Sequence, residues 1–206
     1  MDADGLAAHL VTLAADRPRV LVGIAGVPGA GKSTLAEAVA TAVAARGLPV
    51  VVVPMDGFHL ADAALARLGR LDVKGAIDTF DGAGYVALLE RIRAGGETVW
   101  APAFERELEQ PVAGSIGIAE DVRVVLTEGN YLLVPDAPWN RVRSVLDEAW
   151  FVEGDDELRR RRLVERHIRF GKSSSAAEQW VRRVDERNAA LIAPTARFAD
   201  RVVHAE

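Results

Sequence analysis

Gly26-Val27-Pro28-Gly29-Ala30-Gly31-Lys32-Ser33 is the stretch from which the rest of the chain can be read. It satisfies the phosphate-loop pattern G-x-x-x-x-G-K-[ST] at every position. The pattern has a physical basis. Glycines let the backbone curl until successive N–H groups face a polyphosphate with no Cβ in the way. Lys32 can then reach the β and γ phosphates, the Ser33 hydroxyl offers an oxygen to Mg²⁺, and the following helix aims its N-terminal dipole at the same anion. The expected nucleotide contacts are Gly26, Pro28, Gly29, Ala30, Gly31, Lys32, Ser33 and Thr34. The flanks agree with the motif. Arg19-Val20-Leu21-Val22-Gly23-Ile24-Ala25 is an apolar, β-branched run suited to a strand buried on both faces. Residues 33–46 carry Leu35, Val39, Ala42 and Val43 at helical spacing, Gly47 follows as a C-cap, and Pro49 blocks continuation. Strand, glycine loop and helix in that order predict a nucleoside triphosphate site.

Residues 48–54 form a second apolar run, so the region reads as a βαβ unit with a parallel sheet and right-handed crossovers. The run ends in Met55-Asp56-Gly57-Phe58-His59. Ligands of open α/β sheets lie beyond the carboxyl ends of the strands, which delivers Asp56 to the edge that holds the phosphate loop. A carboxylate there can take the proton of an attacking hydroxyl, although Asp-Gly also suits a turn or cap. His59 is a candidate substrate contact or a capping and packing residue. A third buried strand, residues 121–128, ends in Glu128, placed to order Mg²⁺ or its water together with Ser33. Residues 148–152 and 198–203 supply a fourth strand and a terminal one.

Between these strands the sequence is less regular. Residues 4–16 read as an amphipathic packing helix. Residues 60–84 hold no long apolar run, and Lys74-Gly75-Ala76-Ile77-Asp78-Thr79-Phe80-Asp81 suits an irregular segment facing substrate, with Lys74 and Phe80 as candidates. Asp81-Gly82-Ala83-Gly84 matches the D-x-x-G of GTPases, but no apolar strand leads into it. Residues 85–94 suit a short helix. Val99 starts a strand that breaks into a loop, and Pro111 and Gly114 extend the irregular stretch to about residue 118. Arg106 either meets an anionic or polyhydroxylated substrate or pairs with Glu105, Glu107 or Glu109.

Arg159, Arg162, Arg166 and Arg169 fall within one helical face about 80° wide. Such a face is either solvated or a lid over triphosphate, with residues 171–175 as its hinge or tip. A second helix is expected over residues 176–191, with Asp185 and Asn188 on one side of it.

With 206 residues, a net charge of −5, half its residues apolar and no cysteine, the chain fits one domain with an ample core. The charge argues against nonspecific nucleic-acid binding, and the missing thiols exclude disulfides and thiolate zinc sites. No apolar run approaches the roughly 18 residues of a membrane span, and the N-terminus lacks a secretory pattern, so a cytoplasmic location is expected. A regulatory GTPase would need a guanine-reading Asn-Lys-x-Asp motif, which the sequence does not contain.

The order of motifs resembles the uridine kinase, phosphoribulokinase and pantothenate kinase family over residues 18–204. The selective blocks are Pro54-Met55-Asp56-Gly57-Phe58-His59, Lys74 to Asp81, and Glu128-Gly129-Asn130-Tyr131-Leu132-Leu133. The chain is most similar to the small bacterial sugar (fructose) kinase branch. The resemblance implies an α/β P-loop NTPase fold: a three-layer α/β/α domain over residues 1–206, with a five-stranded mainly parallel sheet and a helical lid at about 158–190. It implies an ATP- and Mg²⁺-dependent kinase with Asp56 as base and Glu128 near metal and substrate. Lys32 and Arg166 assist, Arg162, Arg166 and Arg169 lie on the ATP phosphates, and Tyr131 and Asn188 join the substrate set. The implied partner is a small hydroxyl acceptor, with room for a homodimer. One departure stands out. Pro102-Ala103-Phe104-Glu105-Arg106 replaces the stretch that shapes the uridine site, which favours another acceptor.

Overall fold

The computed structural model describes residues 2–204. Helix α1 (Ala3–Leu13) starts at Asp2, whose carboxylate accepts the Gly5 N–H, and turns Leu6 and Leu10 inward. Strand β1 (Val20–Gly26), helix α2 (Lys32–Ala44) and strand β2 (Val50–Pro54) form the expected βαβ unit. A 3₁₀ turn over Met55–Phe58 leads into helix α3 (Asp62–Leu68), and two more 3₁₀ turns, Leu71–Val73 and Ile77–Thr79, precede α4 (Gly82–Ala94). Residues 60–84 are thus less irregular than expected. Helix α3 buries only Leu65, too little for periodicity to reveal it. Asp81, head of the D-x-x-G match, is the N-cap of α4 and accepts the Gly84 N–H at 2.8 Å.

Strand β3 (Val99–Glu105) pairs antiparallel with β4 (Gln110–Ile118) in a separate two-stranded ribbon. This corrects the loop expected from residue 106 to 118. Pro111 and Gly114 read as breakers, yet a ribbon with open edges tolerates both, and β4 is largely solvated and so lacks an apolar run. Pro102, with no N–H to give the ladder, sits where the register shifts between Ala101 and Ala103.

The chain continues through β5 (Val124–Gly129), α5 (Asn140–Val145), β6 (Glu148–Glu153), α6 (Asp156–Arg169) and α7 (Ser174–Trp180). A π-helical turn (Val181–Asp185), helix α8 (Glu186–Ile192) and strand β7 (Arg201–His204) complete it. The single helix expected over 176–191 is interrupted by that π turn, closed by the Glu186 N–H on the Val181 carbonyl.

The main sheet has five strands in the order β2-β5-β1-β6-β7, every pairing parallel. Side chains alternate across it. Val22, Ile24, Leu126, Trp150 and Val152 face the α1–α2 layer, whereas Leu21, Ala25, Val125 and Phe151 face the α4–α5 layer. Two helical layers around one sheet give the α/β/α architecture. Each fully buried large side chain, Trp150 included, contributes about 1.5–3 kcal/mol or more relative to exposure.

Candidate active site

The phosphate loop leaves β1 at Gly26 and enters α2 at Lys32. Gly29 and Gly31 take φ values of 79° and 91°, the left-handed region that glycine alone occupies without strain. A Cβ on Gly29 would lie 2.9 Å from Arg159 Cγ and from Leu163 Cγ, so the loop is packed directly against α6. No side chain caps α2, which leaves its first N–H groups open to an anion. Lys32 is buried and donates to Asn130 Oδ1 at 2.7 Å and to the Val27 carbonyl at 3.1 Å. Burial pulls its pKa down to about 8; Glu128 and Asp56 oppose that pull, and Arg166 and Arg159 add to it.

Register brings the acids to the same edge. Pro54 of β2 lies beside Glu128 of β5, which lies beside Ile24 of β1, two residues before the loop begins. Glu128 accepts the Ser33 hydroxyl at 3.0 Å. Burial first, then the nearby Asp56 charge, raise the Glu128 pKa above the ordinary carboxylate value. Asp56 stands in the 3₁₀ turn just past β2 and accepts Arg106 Nη2 at 2.8 Å. Burial pushes its pKa upward, but His59, Arg106, Arg166 and Lys32 together outweigh that and hold Asp56 below the usual carboxylate range. Arg106 therefore pairs with neither Glu105 nor its other near acids through the side chain; its partner lies 50 residues away.

These groups border one cavity of about 400 Å³. Its far wall comes from the segment that follows Asp56. His59 donates Nδ1–H to the Asp56 carbonyl at 2.8 Å and lies between Phe80 and Phe104, at ring-centroid distances of 4.0 and 4.8 Å. Burial lowers its pKa, and the Asp56 charge opposes that fall. Lys74 borders the cavity but is bound to Asp62 Oδ1 at 2.6 Å and to the Glu109 carbonyl. Asn188 also borders it and donates to the Gly75 carbonyl at 2.9 Å. Tyr131 does not. It is fully buried, packs edge-on against Phe80, and donates its hydroxyl to the same Gly75 carbonyl at 2.6 Å. The expected substrate contact is instead a support behind the wall, because the β5 turn directs its ring into the core.

Arg162 and Arg166 border a second cavity, about 700 Å³, which opens on the other side of the phosphate loop beside Thr34, and Arg166 borders both. Arg169, expected with them, is exposed and borders neither. Arg159 is buried and engaged with Asp156 at 3.0 Å, Glu186 at 2.5 Å and the Pro28 carbonyl at 3.4 Å. It is structural and leaves no free charge for a lid.

Sequence reasoning assigned no site role to Asn130, His167, Trp180 or Asp185, all of which border the first cavity. Asn130 had a signal, since it follows the Glu128-Gly129 strand end directly. Among the described residues no group of three or more His, Asp or Glu side chains gathers into a metal cluster. Ser33 and Glu128 at 3.0 Å are the donor pair that fits a hard cation completing its shell with water and phosphate oxygens.

The family described as methylmalonyl Co-A mutase-associated GTPase MeaB matches residues 3–61, the span that holds the phosphate loop and its two flanking strands. The "ATP-dependent kinase-like protein notR'" of Aspergillus versicolor is 38% identical over 145 residues, covering 66% of this chain and 84% of that protein. A protein of Schizosaccharomyces pombe named "Putative uridine kinase C227.14" is 32% identical over 192 residues, covering 88% of this chain and 80% of its own. Among solved structures, the "putative fructose transport system kinase" of Silicibacter sp. TM1040 superposes with a TM-score of 0.88 at 35% identity, covering 98% of this chain and 99% of that one.

Proposed function

The chain belongs to the uridine kinase-like family of P-loop kinases, and from that premise we propose that it transfers the terminal phosphoryl group of ATP to a hydroxyl of a sugar. That it is a phosphotransferase acting on a small molecule follows from the family. The observation that carries the rest is one cavity bordered by the phosphate loop, Asp56 and Glu128 together.

In this reading the N–H groups around Gly29 to Ser33, with Lys32, hold the β and γ phosphates. Ser33, and Glu128 through water, would hold Mg²⁺, which would neutralise phosphate charge when bound. The acceptor hydroxyl takes the place of Arg106 beside Asp56. As its oxygen bonds to the terminal phosphorus, the bond to the bridging oxygen of the nucleoside diphosphate breaks, and the hydroxyl proton passes to Asp56. Arg166, which borders both cavities, meets the charge on the transferring group, and α6 to α8 act as the lid. A sugar is favoured over a nucleoside or pantothenate by the likeness to the fructose transport system kinase and by the altered stretch around Phe104.

ADP release measured against free ketoses and aldoses, uridine and pantothenate tests the proposal. A sugar should stimulate turnover, and Asp56→Asn should lower kcat by about 10²–10⁴. Hydrolysis indifferent to every acceptor, or undiminished transfer by Asp56→Asn, would sink it.

A further inference from the structure

The lid-side wall of the cavity carries polar atoms to which the phosphoryl-transfer groups give no role. Asp185 and Asn188 are each more than nine-tenths buried and border the cavity. His167 Nε2–H donates to Asp185 Oδ2 at 2.8 Å, which fixes that carboxylate and leaves Oδ1 over. The Asn188 amide is fixed in the same way. Its Nδ2 donates to the Gly75 carbonyl, so Oδ1 is the oxygen left over. Among the described residues neither Oδ1 accepts a hydrogen bond from the protein. Two acceptor oxygens, three residues apart, therefore face a cavity with no donor of their own.

The π turn explains how Asp185 comes to be there. On an α-helix, residues five apart point about 140° away from each other; in a turn closed by i→i+5 bonds they come round to nearly the same side. Trp180 and Asp185 are five apart. Both border the cavity, and both meet His167, the ring of Trp180 at a centroid distance of 6.2 Å. The Lys172 ammonium also lies over the Trp180 ring, 4.4 Å from its centre.

Acceptor oxygens that open on a cavity and take no protein donor are satisfied by donors that a ligand or water brings. We propose that Asp185 Oδ1 and Asn188 Oδ1 read neighbouring hydroxyls of the phosphate acceptor, which makes that acceptor a polyhydroxylated compound presenting donors, not an anionic group, to the lid. The inference rests on the kinase reading above and adds the residues that select the substrate. His167 and Trp180 are positioning residues for Asp185.

The test uses the full chain and the sugar that gives most ADP release, together with its monodeoxy analogues. Asp185→Asn places an amide donor where the acceptor stood. Asn188→Leu removes the oxygen at similar volume, while the Gly75 carbonyl keeps the Tyr131 hydroxyl. Each variant should lower kcat/KM for the sugar by about tenfold to a hundredfold, with KM for ATP and the melting temperature nearly unchanged. One deoxy analogue should be penalised in the wild type and no further in the variant that reads the missing hydroxyl. Unchanged kcat/KM for the sugar in both variants overturns the inference. So does a deoxy penalty of the same size in wild type and variants. Failure of the kinase reading shows separately, in the wild type and Asp56→Asn, as ADP release that ignores every acceptor.

Discussion

Lys32 is held near the point where it loses its proton. Burial brings its pKa to about 8, with Arg166 and Arg159 adding to the fall and Glu128 and Asp56 restraining it. The folded pKa lies below the unfolded value of 10.5, so the folded chain binds fewer protons between those two pH values. Stability from this residue is accordingly lower below pH 8 and recovers as pH rises towards the unfolded pKa. Nucleotide binding has the opposite demand, because a polyphosphate favours the charged amine. Binding at pH 8.5 should therefore take up a proton, and affinity should fall by up to about tenfold per pH unit above 8. Calorimetry in two buffers of different ionisation enthalpy checks this; identical heats would contradict it. At this scale the sequence was informative where a residue sits at the end of a strand or in the loop, as Ser33 and Glu128 do. It was silent where the partner is distant. Arg106 had three acids close by in sequence, yet the fold brings it to Asp56 instead.

The turn that carries Asp56 is set by the β3–β4 ribbon as much as by β2. A Cβ on Gly57 would run into the carbonyl of Pro102, so the 3₁₀ turn and β3 touch backbone to backbone. Gly57→Ala should push the two apart and misplace Asp56 while leaving the phosphate loop intact. We expect kcat to fall by about 10²-fold with nucleotide affinity unchanged, since a shift near 1 Å is enough for that loss. Equal kcat in Gly57→Ala and wild type would mean the contact does not position the base. The five sheet strands were legible because burial on both faces writes a continuous apolar run. The ribbon was not, since β4 is solvated and contains Pro111 and Gly114. The π turn was not either. An apolar stripe at Val181, Val184 and Ile192 fits an unbroken helix as well, and nothing in residue type marks an i→i+5 bond.

Over the whole molecule, the layers meet at the sheet edge, and the two cavities flank the loop between β1 and α2. Ligand binding there should be felt as global stability. At a concentration of MgADP about 100 times its Kd, linkage gives about 2.7 kcal/mol, which for a chain of this size raises Tm by about 5–10 °C. Thermal melts with and without MgADP measure it, and Lys32→Ala should abolish the rise. Among the described residues no helix is long and apolar enough to cross a membrane, in line with the absence of an apolar run in the sequence. Arg159 sets how such a molecule can close. Its guanidinium bolts the first half of α6 to the Pro28 carbonyl and to Glu186, and its stem and Leu163 abut Gly29. The root of the helix is thus riveted to the phosphate loop and cannot swing as a gate from its own start. Any closure over the phosphates would then have to bend α6 beyond Leu163, in the last turns that bear Arg166 and His167.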